Sequence, residues 1–177
     1  MKSKIDLDVV INNPQWTENV DFDALKVAEE VKDLTFEYVA ENFEHELLSL
    51  DKNFNLNLCL SDNEEVHHLN KEFRDMDKPT NVLSFANVDD EAFWDCLEVE
   101  DVAELGDIII AYETLREEAE IKHITLYAHY CHLLVHGFLH ILGFDHQNDE
   151  EAEEMEGAEI EILEKFSIDN PYADDDM

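Results

Sequence analysis

The segment Thr125-Leu-Tyr-Ala-His-Tyr-Cys-His-Leu-Leu-Val-His-Gly-Phe-Leu-His-Ile-Leu142 decides the fold, because its apolar residues cover nearly every side of a helix. A helix of that kind is buried among other elements. Gly143 follows directly, and glycine ends helices readily because it adopts left-handed backbone conformations. We therefore predict a central helix over residues 125–142. Its histidines make it too polar for a membrane span.

Hydrophobic periodicity outward from that helix predicts four strands and four more helices. The strands fall at residues 5–11, 54–60, 82–86 and 106–110, and the helices at 22–43, 62–73, 112–121 and 148–166. Ser61 and Glu64 have the spacing of a capping box that opens the second of these helices. The acidic stretch 87–104 is predicted to be a surface loop. The order βαβαββααα predicts an α+β fold with a small mixed four-stranded sheet covered by helices.

The length of 177 residues suits one domain with its own core, and no Gly, Ser or Pro linker divides it. We predict a single domain over residues 1–168 and an acidic, disordered tail over 169–177. The first ten residues lack the pattern of a signal peptide, and the three cysteines show no CxxC spacing. Free thiols buried as small apolar side chains, in a reducing cytoplasm, are therefore expected.

The formal net charge of −35 restricts the partners of the chain. A polyanion is repelled by nucleic acid and by anionic membranes, so the charge argues against non-specific binding to either. The charge is spread over helices and tail, and it does not define the local field at a site.

The central helix also carries the strongest chemical pattern, His136-Gly-Phe-Leu-His140-Ile-Leu-Gly-Phe-Asp-His146. His136 and His140 are one turn apart, about 6 Å in rise and about 40° in azimuth, so both rings project from one face. Gly143 lets the chain reverse and bring back His146 as a third ligand. Three imidazoles leave a fourth position of zinc open for water, which is typical of a catalytic rather than a structural site. We predict one Zn²⁺ per chain, bound by this central metal-binding helix.

The same spacing occurs in metzincin proteases, where a glutamate that acts as general base follows the first histidine. This chain has Gly137 there. The pattern therefore argues against peptide hydrolysis of that type. Asp145, beside the third histidine, either bonds a ligand imidazole or caps the turn.

The locally positive stretch is the segment that contains Lys71, Arg74 and Lys78. An arginine near a metal is well suited to hold a phosphate through two hydrogen bonds. An ordinary solvated helix end is the alternative interpretation.

Together these residues resemble the YbeY-type endoribonucleases, a family of rRNA maturation factors. The histidine motif resembles that family's H-G-x-L-H-L-x-G-Y-D-H signature. Residues 69–85, LNKEFRDMDKPTNVLSF, resemble its L-N-x-x-F-R-G-x-D-x-P-T-D-V-L-S-F stretch, and residues 106–110, GDIII, resemble its G-D-I-x-I strand. The likeness runs from about residue 56 to 166, with the motifs in the family's order. Asp75, Asn81 and Ala86 stand where the family has Gly, Asp and Pro.

The resemblance implies a zinc-dependent endoribonuclease specific for single strands that acts in small-subunit rRNA maturation and ribosome quality control. It implies that His136, His140 and His146 bind the metal and that Arg74 engages the RNA phosphate, with Arg74 and His136 as the catalytic residues. Single-stranded RNA or rRNA is the expected partner, together with ribosomal proteins or ribosome-associated factors, and no membrane.

Two alternatives remain open on the residues alone. In the first, the same metal serves a hydrolase of peptides, amides or other phosphoesters. In the second, the metal is structural, with Asp145 or Cys131 as a fourth ligand, and the chain is a ribosome-assembly factor that does not cut.

Overall fold

The computed structural model describes residues 3–76, 80–145 and 147–172. Along the chain, four strands are interspersed with eight helices in these ranges. The strands are β1 (Lys4–Ile11), β2 (Asn53–Ser61), β3 (Val82–Ala86) and β4 (Val102–Ala111). The helices are α1 (Gln15–Glu18), α2 (Ala24–Asn42), α3 (Glu46–Ser49), α4 (Asn63–Arg74), α5 (Glu91–Cys96), α6 (Tyr112–Lys122), α7 (Leu126–Ile141) and α8 (Asp149–Glu164). A 3₁₀ turn occupies Asn87–Asp89.

The four strands form one mixed sheet in the order β1-β2-β4-β3. β1 and β4 both run parallel to β2, while β3 pairs antiparallel with β4. Each parallel pair is joined by helices, as a parallel connection requires. The predicted α+β fold with a mixed four-stranded sheet covered by helices is confirmed.

The sheet buries its two faces unequally. The larger core lies between the sheet and helices α2, α7 and α8, and completely buried side chains of it include Phe54, Leu58, Ile108 and Phe138. On the opposite face α4 covers a smaller cluster of Val66, Leu83 and Ala111. One face is therefore sealed, whereas the other is only partly covered.

A bulge in β4 explains why the strand is longer than predicted. The register with β2 shifts between Asn55, which faces Glu104, and Leu56, which faces Gly106. The extra residue, Leu105, is completely buried, and Ile108 beyond the bulge is buried as well. The bulge breaks the alternation of period two on which strand prediction depends, so the sequence pattern indicated only residues 106–110.

Helix α7 lies at the centre of the fold, as its apolar residues on nearly every side predict. It packs against α2, α6, α8, β3 and β4. The Thr125 side chain caps it by accepting a hydrogen bond from the Ala128 amide. Gly143 follows the helix with φ of +99°, a conformation that L side chains rarely adopt. This turn positions the residues beyond the helix.

Three local predictions are wrong. The α4 cap is Asp62, which accepts from the Glu65 amide, because Ser61 is still paired in β2. The acidic stretch after residue 87 contains α5, capped by Asp90, and is not an irregular loop. Cys59, Cys96 and Cys131 are free thiols, but Cys96 is exposed on α5 and not buried.

The domain boundary at residue 168 and the disordered tail stay predictions. Residues 169–172 are described, and Tyr172 contacts α8. Residues 173–177 lie outside the described part. None of the helices in the described ranges is long and apolar enough to cross a membrane.

Candidate metal and phosphate site

His136 and His140 meet at the C-terminal end of α7, as the spacing predicts. Their Nε2 atoms are 3.0 Å apart and their ring centroids 4.5 Å apart. Two nitrogen lone pairs at that distance repel unless a proton or a cation lies between them. Tetrahedral zinc with bonds of about 2.0–2.1 Å places two ligand nitrogens about 3.3 Å apart, close to the observed separation. The donor set therefore fits a divalent ion.

The third predicted ligand, His146, lies outside the described residues. Within residues 3–76, 80–145 and 147–172 no group of three His, Cys, Asp or Glu side chains is placed to hold a metal ion. The three-histidine zinc site therefore stays a prediction, and the structure contributes two of its members as a converging pair.

The histidine pair opens onto a cavity of about 460 Å³ between α7, β3 and the residues after α7. Its walls include Arg74, Ser84, Ala86, Asp89, His136, His140 and Asp145. Among the described lining residues Arg74 is the one cationic side chain. The cavity thus brings together the metal-ligand pair and the phosphate-binding candidate, which lie more than 60 positions apart in the sequence.

The end of α4 and strand β3 position Arg74. Its Nη2 donates to the Ser84 carbonyl at 2.7 Å, and its guanidinium lies 5.3 Å from the centre of the Phe85 ring. These contacts hold the exposed guanidinium over β3 at the cavity. Asp75 ends α4 with φ of +54°, a conformation that glycine adopts without strain and that aspartate tolerates. The difference from the family's Gly at that position is therefore compatible with the same turn.

A buried carboxylate that sequence reasoning missed holds His136. Glu159 of α8 is completely buried, and its Oε1 lies 2.5 Å from His136 Nδ1. Burial is the largest single influence and would raise the pKa of this carboxyl, but hydrogen bonds and charge from His132 and His136 together lower the pKa to about 2. Glu159 is therefore ionised at neutral pH. Its signal in the sequence is a charged residue on the buried stripe of α8, between Met155 and Ile162.

The other histidines of α7 have partners of their own. His132 is buried, with Nε2 3.5 Å from Glu159 Oε2. His129 Nε2 lies 2.9 Å from Glu118 Oε1, which also accepts from the Asn81 amide at 2.9 Å. An aspartate at position 81 would face Glu118 as a second carboxylate. Asn81 is therefore suited to this chain, although the family has Asp there.

Gly137 packs tightly against the sheet, which leaves little space for a side chain. A Cβ built there would lie 3.1 Å from Cδ1 and 3.3 Å from Cγ2 of Ile108, a buried residue of β4. The position faces the sheet, not the cavity. A glutamate at this position would press on the Ile108 side chain and leave its backbone facing the sheet, which supports the argument against peptide hydrolysis.

The two fourth ligands considered for a structural metal are placed differently. Cys131 is completely buried and does not line the cavity. Asp145 does line the cavity. Of these two, only Asp145 remains a candidate, and its alternative roles as ligand partner or turn cap stay open.

A second cavity, of about 380 Å³, lies on the partly covered face of the sheet, between α4 and β4. Its walls are mostly apolar, with Leu69, Phe73 and Phe85, and the half-buried Cys59 joins them. Burial raises the pKa of the Cys59 thiol to about 12, assisted by the charge of Glu65, so the thiol is not a nucleophile at neutral pH. Of these two cavities, the one lined by His136, His140 and Arg74 is thus the better candidate for catalysis.

Comparison with known proteins identifies the family to which the chain is similar. The family described as Endoribonuclease YbeY matches residues 11–167. The Endoribonuclease YbeY of Colwellia psychrerythraea is 48% identical over 127 residues, 70% of this chain and 76% of that protein. That of Erythrobacter litoralis is 51% identical over 119 residues, 66% of this chain and 73% of that protein. The solution structure of TM1509 from Thermotoga maritima is similar in fold, with a TM-score of 0.51 and 21% identity, covering 93% of this chain and 91% of that one.

Proposed function

Because the chain belongs to the Endoribonuclease YbeY family, we propose that it is a zinc-dependent endoribonuclease that cuts single-stranded RNA. Its place of action is the maturation of small-subunit rRNA and ribosome quality control in the cytoplasm, with ribosomal proteins or ribosome-associated factors as further partners. The observation that supports this most is the cavity shared by the His136–His140 pair and Arg74. A cation site beside a guanidinium is suited to a phosphodiester.

In this proposal the histidines bind the metal ion, and Arg74 balances the charge of the phosphate. His136 and His140, with His146, would hold the ion, which supplies Lewis acidity to the phosphate and to water. Arg74 has five N–H donors, and the contact with Ser84 uses one, so the guanidinium can hold the phosphate as charge develops on it. The attacking oxygen is either water or the 2′-hydroxyl of the substrate, and the termini of the products distinguish the two.

The first test is cleavage of a labelled single strand compared with the same sequence annealed into a duplex. We expect the zinc-loaded chain to cut the single strand at least about tenfold faster, because a duplex holds its backbone in a fixed A-form helix. A chelator should stop the reaction and added Zn²⁺ should restore it. One bound ion per chain with no cleavage of either RNA would favour the assembly factor with a structural metal, for which Asp145 is the candidate fourth ligand.

Replacing Arg74 by alanine should lower kcat/KM for the single strand by about 100-fold, or about 2.7 kcal/mol of transition-state stabilisation. Zinc affinity should not change, because Arg74 is not among the predicted ligands. Arg74→Lys should restore part of the rate, since lysine keeps the charge but not the planar pair of donors.

The matched control is Arg116→Ala, because it removes the same charge from α6, where Arg116 contacts Tyr112 and Glu120. Its kcat/KM should stay within about twofold of the native value. Equal losses in the two variants would mean that total charge, not the placement of Arg74, governs the rate.

A further inference from the structure

Glu159 is the centre of a small buried network that joins three parts of the chain. Its Oε1 lies 2.5 Å from His136 Nδ1 and its Oε2 lies 3.5 Å from His132 Nε2, both on α7. The Tyr172 hydroxyl donates to the same Oε2. A carboxylate with no exposed surface is stable only when it is paired in this way. Each partner therefore helps to keep the charge of Glu159 in place.

The network determines which nitrogen of His136 carries the proton. An ionised carboxylate only accepts hydrogen bonds, so His136 Nδ1 must donate. In a neutral ring the lone pair is then on Nε2, the atom that faces His140 Nε2 at 3.0 Å. The neutral ring is thus held in the one tautomer that can act as a ligand through Nε2.

The segment after α8 brings Tyr172 back to this network. Ser167 has φ of +60° and reverses the chain, and the Ile168 amide bonds to the Leu163 carbonyl. The Asn170 side chain then accepts from the Tyr172 amide at 2.8 Å, which makes a second turn. As a result the Tyr172 ring lies edge-on to the His132 ring, with centroids 5.5 Å apart, and its hydroxyl is 3.3 Å from His132 Nε2.

From these contacts we infer that Tyr172, through Glu159, is a positioning residue for His136. It steadies the carboxylate that fixes the His136 tautomer with Nε2 toward the cavity. The segment after α8, for which the sequence predicted only disorder from residue 169, thereby becomes part of the metal site. This inference rests on the proposed function for its effect on metal affinity, whereas its effect on the tautomer is independent of the metal.

The test compares Tyr172→Phe with Tyr38→Phe in the full chain. Tyr38 supplies a matched control, because its hydroxyl also donates to a glutamate of α8, Glu161, away from the cavity. We expect Tyr172→Phe to weaken Zn²⁺ binding about tenfold in competition with a chromophoric chelator, the lower end of the effect of removing a partner of a metal ligand. Tyr38→Phe should leave zinc affinity within about twofold of the native value.

The second readout is the ¹⁵N chemical shifts of the His136 ring in the metal-free chain at fixed neutral pH. The native chain should show the Nδ1–H tautomer, and Tyr172→Phe should show a mixture of the two tautomers. Glu159→Gln, which removes the charge, should weaken zinc binding about 10- to 100-fold.

The outcomes separate the inference from the proposed function. A lower melting temperature for Tyr172→Phe with native zinc affinity and a native His136 tautomer would mean that Tyr172 only packs, and would overturn the inference. If the native chain binds no Zn²⁺, the proposed zinc-dependent activity is contradicted. The tautomer measurement then decides the inference by itself.

Discussion

Replacing His140 by alanine should lower the rate of RNA cleavage by at least about 1000-fold and zinc affinity by at least about 100-fold. The physical reason is the convergence of two Nε2 atoms 3.0 Å apart, since removing one leaves an ion with an incomplete set of ligands. The measurements are the single-strand cleavage rate and the Zn²⁺ dissociation constant. His140 is only half-buried, so the metal-free variant should melt within a few degrees of the metal-free native chain.

The matched control for that variant is His68→Ala. The His68 side chain is 73% exposed on α4, where it pairs with Glu72. Its removal should leave the cleavage rate and zinc affinity unchanged. If His140→Ala and His68→Ala both cut RNA at the native rate, the activity belongs to a contaminating nuclease and the site assignment fails.

Gly106→Ala should destabilise the fold more than a typical point mutation, by about 4 kcal/mol. Gly106 has φ of +151°, and a Cβ there would lie 2.2 Å from the Phe85 carbonyl oxygen and 2.8 Å from Ile141 Cδ1. The first contact is backbone of the paired strand β3, which cannot move without opening the sheet. For a domain of this size the melting temperature should fall by about 12 °C.

The control is Gly157→Ala, which introduces the same methyl group at a glycine with open space around it. Nothing lies within 4 Å of a Cβ at Gly157, which is inside α8. Alanine should stabilise that helix by up to about 1 kcal/mol. An unfolding free energy for Gly106→Ala within about 1 kcal/mol of the native value would mean that β3 adjusts easily and that the bulge is not rigid.

The sequence predicted what depends on local periodicity. The central helix, the existence of four strands and their order along the chain, and the meeting of His136 with His140 all follow from spacings of a few residues. The β4 bulge at Leu105 was missed because it breaks the alternation that marks a strand. The α4 cap was misplaced by one residue because Ser61 satisfies the capping pattern while it is still part of β2.

Contacts between residues far apart in the sequence could not be predicted from hydrophobic periodicity. The meeting of Arg74 with the histidine pair was expected from the family resemblance and not from spacing, because the tertiary fold alone brings α4 to α7. The place of Glu159 on the apolar stripe of α8 indicates a buried carboxylate, but nothing local shows which residue of another helix it faces. Tyr172 fell in a stretch whose composition predicts disorder. His146 lies outside the described residues, so its role as third ligand remains a prediction.

The close approach of α7 to β4 at Gly137 also limits how this scaffold can change over evolutionary time. Acquiring an acid after the first histidine requires only a point mutation in the gene, but the Ile108 side chain occupies the space that the new side chain would need. A lineage that starts from this backbone would have to displace the Ile108 side chain or move the helix, at a cost in core packing. The close packing of α7 on β4 is thus a larger obstacle to peptidase chemistry than the single residue at position 137.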